Sequence, residues 1–351
     1  MNGELRRRSR NAMFGLALGD ALSWPAMFHR SYTLPLWTRR IRREIDSEAE
    51  FTKALPVAMP FSLNRSAAAF SLGPTDDTEW AAFGMQYLIK CRGRVTAGAL
   101  YGHWLELAAS GEEIRGSLGV QIALENLRRK KMPPISGHDN PHFFDDAAVA
   151  RAVPIGILCA GDPTAAAELA GWEAQITNAE DGLWAAQAMA AGISAAGGGQ
   201  TLERVLDVML AQLPPHSWIN RSVAAALALC DPARSALELV PHWHETVINR
   251  EYNYGNVAPE TLALALALIK QTHGEFAPAI MLALTCAKAA DSVPALVGAL
   301  SGALSDQDLI TAEWREQLQW LRGMCVPALT GVDFLALVEQ LANLAVARAA
   351  R

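Results

Sequence analysis

The chain contains no CxxC pair and no cluster of Cys with His. Its five cysteines, Cys91, Cys159, Cys230, Cys286 and Cys325, are odd in number and widely spaced. That spacing argues against a structural zinc site or a disulfide framework and reads as reduced, buried thiols of a cytoplasmic protein. No apolar stretch reaches the ~20 residues needed to span a bilayer; the longest ones are Ala-rich and broken by Asp, Gln or Lys. The start does not read as a secretory signal, because the apolar stretch after Arg6, Arg7, Arg8 and Arg10 is interrupted by Gly15, Gly19 and Asp20. An excess of positive charge is missing too. With 30 Lys+Arg against 36 Asp+Glu, the net charge is -6, which excludes a general nucleic-acid binder. Only 19% of residues are charged against 51% hydrophobic, which excludes disorder. Alternating β-branched runs are scarce, and only Val57-Ala58-Met59 hints at a short extended piece.

What is present reads as helix. Alanine, the best helix former, is abundant, and apolar residues recur at helical spacing. Helices are expected over Glu79–Ile89, Asp181–Ala196, Val257–Gln271, Phe276–Lys288, Val293–Leu304 and Phe334–Ala347. Irregular loops are expected over Ser31–Pro74, with basic Arg39, Arg40, Arg42 and Arg43, and over Met132–Phe144. At 351 residues with no linker-like shift in composition, the expectation is one all-α domain over residues 1–351.

Three acidic signals stand out. Thr75-Asp76-Asp77-Thr78 precedes an apolar helix. The plain reading is a helix start, with Thr75 capping and the aspartates at the positive dipole end. A cap needs one such residue, however, and adjacent carboxylates repel, so two acids with two hydroxyls also suit a hard-oxygen site for Mg²⁺. Asp291-Ser292 precedes a helix rich in small residues (Gly298, Ala299, Ser301, Gly302, Ala303), which lets another helix approach closely. It too reads as a cap or as an oxygen site. Asp20 lies in an apolar, small-residue helix and must find a partner there.

In this order the motifs resemble the ADP-ribosylglycohydrolase family. The opening GxxxGDALGxP pattern stands as Gly15-Leu-Ala-Leu-Gly19-Asp20-Ala21-Leu22-Ser23-Trp24-Pro25, and TDDT stands as Thr75–Thr78. The central loop is matched by Asp145-Asp146 and Arg151-Ala-Val-Pro154-Ile-Gly156, with Gly161-Asp162-Pro163 and Thr177-Asn178 following. The final DxD[TS] motif is matched by Asp291-Ser292 and Val297-Gly298-Ala299. The resemblance implies an all-helical fold and a magnesium centre. Carried over, its metal ligands are Thr75, Asp76, Asp77, Asp291 and Ser292, with one tight Mg²⁺ ion, a possible second, and Mn²⁺ as a substitute.

Two departures bear on that centre. The first Asp of DxD[TS] falls on Ala289, and the acidic residue expected after the opening motif falls near Met27. The expected activity is hydrolysis of a glycosidic bond at ribose C1, acting on an ADP-ribosylated substrate or a small riboside. Asp76 and Asp77 are the first acid–base candidates, with Asp146 in reserve. Asp20, Asp145 and Arg151 are candidate substrate contacts, although Arg151 can equally form a structural ion pair. Trp24, Phe143, Phe144, Trp184 and Tyr254 are candidates to stack on a base or to pack in the core. The alternatives are a hydrolase of free nucleosides and a non-catalytic ADP-ribose-binding protein. Neither a nucleic acid nor a membrane is an expected partner.

Overall fold

The computed structural model describes residues 2–28, 72–249, 254–286 and 288–350. The loop expected over Ser31–Pro74, with its arginine run, lies almost wholly outside them, as does Val57-Ala58-Met59. So do the side chains of Trp24 and Met27. Sixteen α-helices and one 3₁₀ turn run through the described residues, and the only β-pairing among them is a single bridge between Trp320 and Asp333. The fold is all-α. No helix among the described residues is long and apolar enough to cross a membrane, and no disulfide joins the cysteines among the described residues.

The sequence sorts these helices into inner and outer ones. In Ala258–Gln271 every residue from Ala258 to Ile269 is buried, and in Val293–Leu304 every residue from Val293 to Ala303 is buried. Helix Ala147–Leu158 is buried from Ala148 onward. A helix that is apolar on all sides must be surrounded, and these three form the centre. An outer helix such as Leu202–Leu210 buries only one stripe, Val205, Leu206 and Met209.

The crossing that positions the site is made by glycine. Helix Asn2–Phe28 packs on Val293–Leu304 so closely that a Cβ on Gly15 would lie 2.0 Å from the Gly298 carbonyl oxygen, and one on Gly19 would lie 2.0 Å from that of Pro294. A Cβ on Gly302 would lie 2.2 Å from the Asn11 carbonyl oxygen. Only glycine allows two backbones this close. The crossing brings Asp20, one residue after Gly19, up to the start of the helix that follows Asp291 and Ser292.

Most helix bounds lie within a residue or two of expectation, including Glu180–Gly197, Ala258–Gln271, Val293–Leu304 and Phe334–Ala349. Two differ. The helix expected over Phe276–Lys288 ends at Ala283. There the Thr285 hydroxyl donates to the Leu282 carbonyl (2.6 Å) and competes with helical continuation. Lys288 is then drawn to Glu260 (2.9 Å), a carboxylate with no exposed surface. Within the expected loop Met132–Phe144, residues Ile135–His138 form one short helix.

Candidate functional site

Three helices begin at the same place. Asp76–Lys90, Ala147–Leu158 and Val293–Leu304 have Thr75, Asp146 and Ser292 at their N-cap positions, and none of these three side chains caps its helix. The plain capping reading of Thr75 and Ser292 is therefore corrected by the structure. Three positive helix ends face the group of aspartates, which partly offsets the crowding of negative charge.

Asp20 performs the capping that Thr75 does not. Its Oδ2 accepts the backbone N–H of Thr75 (2.8 Å) and of Thr78 (3.2 Å). It also accepts the Thr78 hydroxyl (2.5 Å), while Oδ1 accepts the Thr75 hydroxyl. A carboxylate on one helix thus satisfies the orphan donors of another. Burial, and after it the negative charge of Asp76, raises the Asp20 carboxyl to about 7, against the opposing effect of these hydrogen bonds.

Asp76 and Asp77 are half-buried in the first turn of their helix. Burial raises the proton affinity of Asp76, with a smaller contribution from Glu79. For Asp77 the rise is large. Burial leads, followed by Asp76, Asp20, Asp291 and Asp146. That sequence of neighbours places five aspartates from four chain segments in one electrostatic unit. Asp146 is likewise raised well above the ordinary range, by burial and then by Asp145 and Asp291. Ser292 and Asn256 approach its carboxylate and oppose the rise, but neither reaches ordinary hydrogen-bond geometry, so both Asp146 oxygens are buried without a partner. Asp291 is held by the Asn256 side-chain amide (3.3 Å).

Asp145 is differently placed. It is fully buried, and it accepts the Tyr254 hydroxyl (2.6 Å) and the Ala147 N–H (2.7 Å). Tyr254 in turn accepts the Leu118 N–H (3.2 Å), and its ring packs 4.7 Å from that of His142. Phe143 and Phe144 meet edge to face at 5.4 Å, and Phe144 reaches Trp218 at 5.8 Å. Trp184 packs against the core from a partly buried position.

Arg151 is enclosed. Its side chain has 0% exposure and pairs with Glu173 (2.7 Å). It also donates to the Thr177 hydroxyl (2.6 Å), and its guanidinium lies 5.0 Å from the Trp104 ring centre. Thr177 donates to Asn178, whose amide donates to the carbonyls of Asp145 (2.7 Å) and Phe143 (3.2 Å). Arg151 therefore braces the loop that carries Asp145 and Asp146. To bind a phosphate it would have to leave a buried ion pair, a change that costs several kcal/mol.

Sequence reasoning missed Glu79. Its carboxylate is fully buried and accepts three backbone N–H groups, from Met324 (2.9 Å), Cys325 (2.7 Å) and Val326 (3.3 Å). The signal was a third acid in one helix turn after Asp76 and Asp77, more than a helix dipole requires. Asn256, on Asp291, carried no such signal.

The donors available to a cation are all hard oxygens, which suits Mg²⁺ or Mn²⁺. Among the described residues no three Asp, Glu, His or Cys side chains converge tightly enough to make a closed cage. Mg²⁺ commonly binds through one or two carboxylates and keeps several waters, so an open, acid-lined site with unpartnered carboxylate oxygens fits it. Ala289, where the resemblance expects a carboxylate, is fully buried.

Comparison with known proteins bears on the family and the fold. The profile of the ADP-ribosylglycohydrolase family matches residues 1–350. A solved structure described as an "ADP-ribosylglycohydrolase-related protein complex" superposes with a TM-score of 0.62 over 98% of this chain and 99% of its own, at 22% identity. That likeness concerns the fold. Among curated proteins none matches the chain.

Proposed function

Because the chain belongs to the ADP-ribosylglycohydrolase family, we propose that it hydrolyses a glycosidic bond at ribose C1 in a Mg²⁺-dependent reaction, releasing ADP-ribose or a related ribosyl group. The observation that supports this most is the aspartate group at three uncapped helix starts. Three of its members, Asp76, Asp77 and Asp146, tie no second helix start in place as Asp20 does. Among the described residues no Lys or Arg forms an ion pair with Asp76, Asp77 or Asp146.

Asp76, Asp77, Asp291 and the Ser292 hydroxyl would hold the ion, with Thr75 at the edge of the set, its hydroxyl already donated to Asp20. When bound, the cation would orient ribose hydroxyls and water and stabilise charge as the bond breaks. The chain's own groups do the rest. Asp20 fixes the start of the Asp76 helix by four hydrogen bonds, which sets where both aspartates point. Asp76 or Asp77 takes the proton of the attacking water. Asp145 holds Tyr254, and Asn178 holds the Phe143 and Asp145 carbonyls. The rings of His142, Phe144, Tyr254 and Trp218 lie at 46–54° to their neighbours in the group, and any one exposed ring face could stack on a ring of the substrate.

The test is a panel of N- and O-linked ribosides and ADP-ribosylated peptides, assayed with Mg²⁺ for release of ribose or ADP-ribose. Asp76→Asn and Asp77→Asn should each lower the rate by about a hundredfold or more, the loss expected when a group central to charge stabilisation is removed. Variants that match wild type within a few-fold would remove these residues from the reaction. A wild-type protein that is inert on the whole panel yet binds ADP-ribose would be a binding protein.

A further inference from the structure

Asp146 is 3% exposed, and neither carboxylate oxygen has a hydrogen-bond partner. Buried polar groups are almost always satisfied, and a buried carboxylate without a partner is costly. Asp146 does not cap the helix it leads into; the N–H of Ala147 goes to the Asp145 carboxylate and that of Val149 to the Asp146 carbonyl. The groups that approach Asp146 are Ser292 and Asn256, and the charges that bear on it are those of Asp145 and Asp291. Ser292 and Asp291 belong to the last acidic motif, and Asn256 is the residue that holds Asp291.

That motif is the one lacking a carboxylate. Ala289 stands where the family pattern has an acid; it is 0% exposed and packs in the apolar core. The central loop brings a carboxylate to the same motif, since Asp146 lies close enough to Asp291 for their charges to interact.

We propose that Asp146 is a ligand of the divalent cation, sharing it with Asp291 and Ser292 and supplying the carboxylate absent at Ala289. This rests on the metal-dependent reading above. The Asp146 side chain then has a task for its oxygens, and the cation gains a further carboxylate without any shift in the apolar packing around Ala289.

The test uses the full chain, stripped with chelator and titrated with Mn²⁺. Binding is read by calorimetry and by the electron paramagnetic resonance of free Mn²⁺, so it needs no substrate and no turnover. Asp146→Asn keeps the shape and removes the charge. It should weaken Mn²⁺ binding by at least about tenfold, the lower end of what losing even an outer-sphere partner costs a metal site. It should also shrink the Mn²⁺-dependent rise in Tm, which follows affinity. If Asp146→Asn does not fold, Asp146→Ser is titrated in its place with the same expectation. Ala289→Asp in the Asp146→Asn background should recover binding. Mn²⁺ affinity within about twofold of wild type overturns the proposal; if activity is then lost all the same, Asp146 is an acid–base group. A wild-type protein that takes up no Mn²⁺ overturns the metal-dependent reading and this proposal together, whereas loss of binding only in the variants leaves both standing.

Discussion

Gly298→Ala tests whether the glycine crossing is what assembles the site. A Cβ at Gly298 would lie 2.1 Å from the Gly15 carbonyl oxygen and 2.7 Å from its carbonyl carbon, where 3.4–4 Å is ordinary contact. The facing atoms are helix backbone, so no side chain can rotate away. The helices must separate by roughly 1 Å, and a gap of that size forfeits a quarter to a half of each dispersion contact along the seam. Overpacking of this kind typically costs ~1–3 kcal/mol, occasionally more. The gain in helix propensity of Ala over Gly returns up to about 1 kcal/mol. The net expectation is a loss of about 1–2 kcal/mol. In a chain of this length that lowers Tm by about 2–4 °C, read by far-ultraviolet circular dichroism on metal-free protein. Gly84→Ala is the matched control, because it also sits inside a helix and nothing lies within 4 Å of its added Cβ. Freed of any clash, it should leave stability unchanged or raise it by up to about 1 kcal/mol. Mn²⁺ affinity should fall in Gly298→Ala and not in Gly84→Ala, since Asp20 and Asp291 are carried on the two crossing backbones. A Gly298→Ala protein as stable as Gly84→Ala would refute the argument.

Two further outcomes are expected. Arg151→Met should destabilise by about 3–5 kcal/mol because it strands the buried Glu173, whereas the double variant Arg151→Met/Glu173→Met should recover much of that loss, as removing both charges of a buried pair is often near neutral; an additive double variant in denaturant unfolding would mean that the two residues do not act as a pair. The metal-free protein should lose stability as pH rises from about 4 to about 7. Asp20 has a folded carboxyl raised to about 7, and Asp76, Asp77, Asp145 and Asp146 are also raised. The folded state therefore keeps protons that the unfolded state releases. Their contribution is complete below the unfolded value and is lost as pH climbs through the folded one. Urea unfolding with chelator present, at about pH 4.5 and about pH 7, should show the lower stability at the higher pH, and the reverse order would contradict the reading of a crowded, uncompensated acid group.

The helical class was legible because it depends on local terms, alanine content and the spacing of apolar groups, that persist whatever the tertiary contacts. The bounds of Val293–Leu304 follow from Pro294 at its start and Ser305 after its end. The early stop at Ala283 has a local part, the Thr285 hydroxyl on the Leu282 carbonyl, and a part the sequence hides, Lys288 reaching Glu260 from another element. The candidate site divides in the same way. Asp76, Asp77 and Asp291 announce themselves as acids at helix starts. What the sequence hides is which oxygens are already occupied. Thr75 and Ser292 look like caps in one dimension and cap nothing in three, since Asp20 arrives from a helix more than fifty residues away in sequence. Arg151 looks like a phosphate ligand until Glu173 and Thr177 are brought against it. Glu79 reads as one more acid in a helix turn until the Met324–Val326 backbone is laid over it.

Occupancy of carboxylate oxygens therefore separates scaffold from chemistry among acids that sequence alone cannot rank. Asp20, Glu79 and Asp145 each accept two or more hydrogen bonds from backbone N–H groups or hydroxyls. Removing any of them would release what it holds: the start of the Asp76 helix, the Met324–Val326 segment, or the Ala147 N–H together with Tyr254. The Asp146 side chain holds no backbone N–H, and neither of its buried oxygens has a partner in ordinary hydrogen-bond geometry. A buried carboxylate left so is costly, and a ligand that completes it removes that cost. The scaffold acids lie behind the site and satisfy helix ends. The unsatisfied one lies in front, beside Asp291 and Ser292. The distribution of hydrogen bonds thus carries the same division that the proposed chemistry requires, with fixed carboxylates that aim the cleft and open ones that meet what enters it.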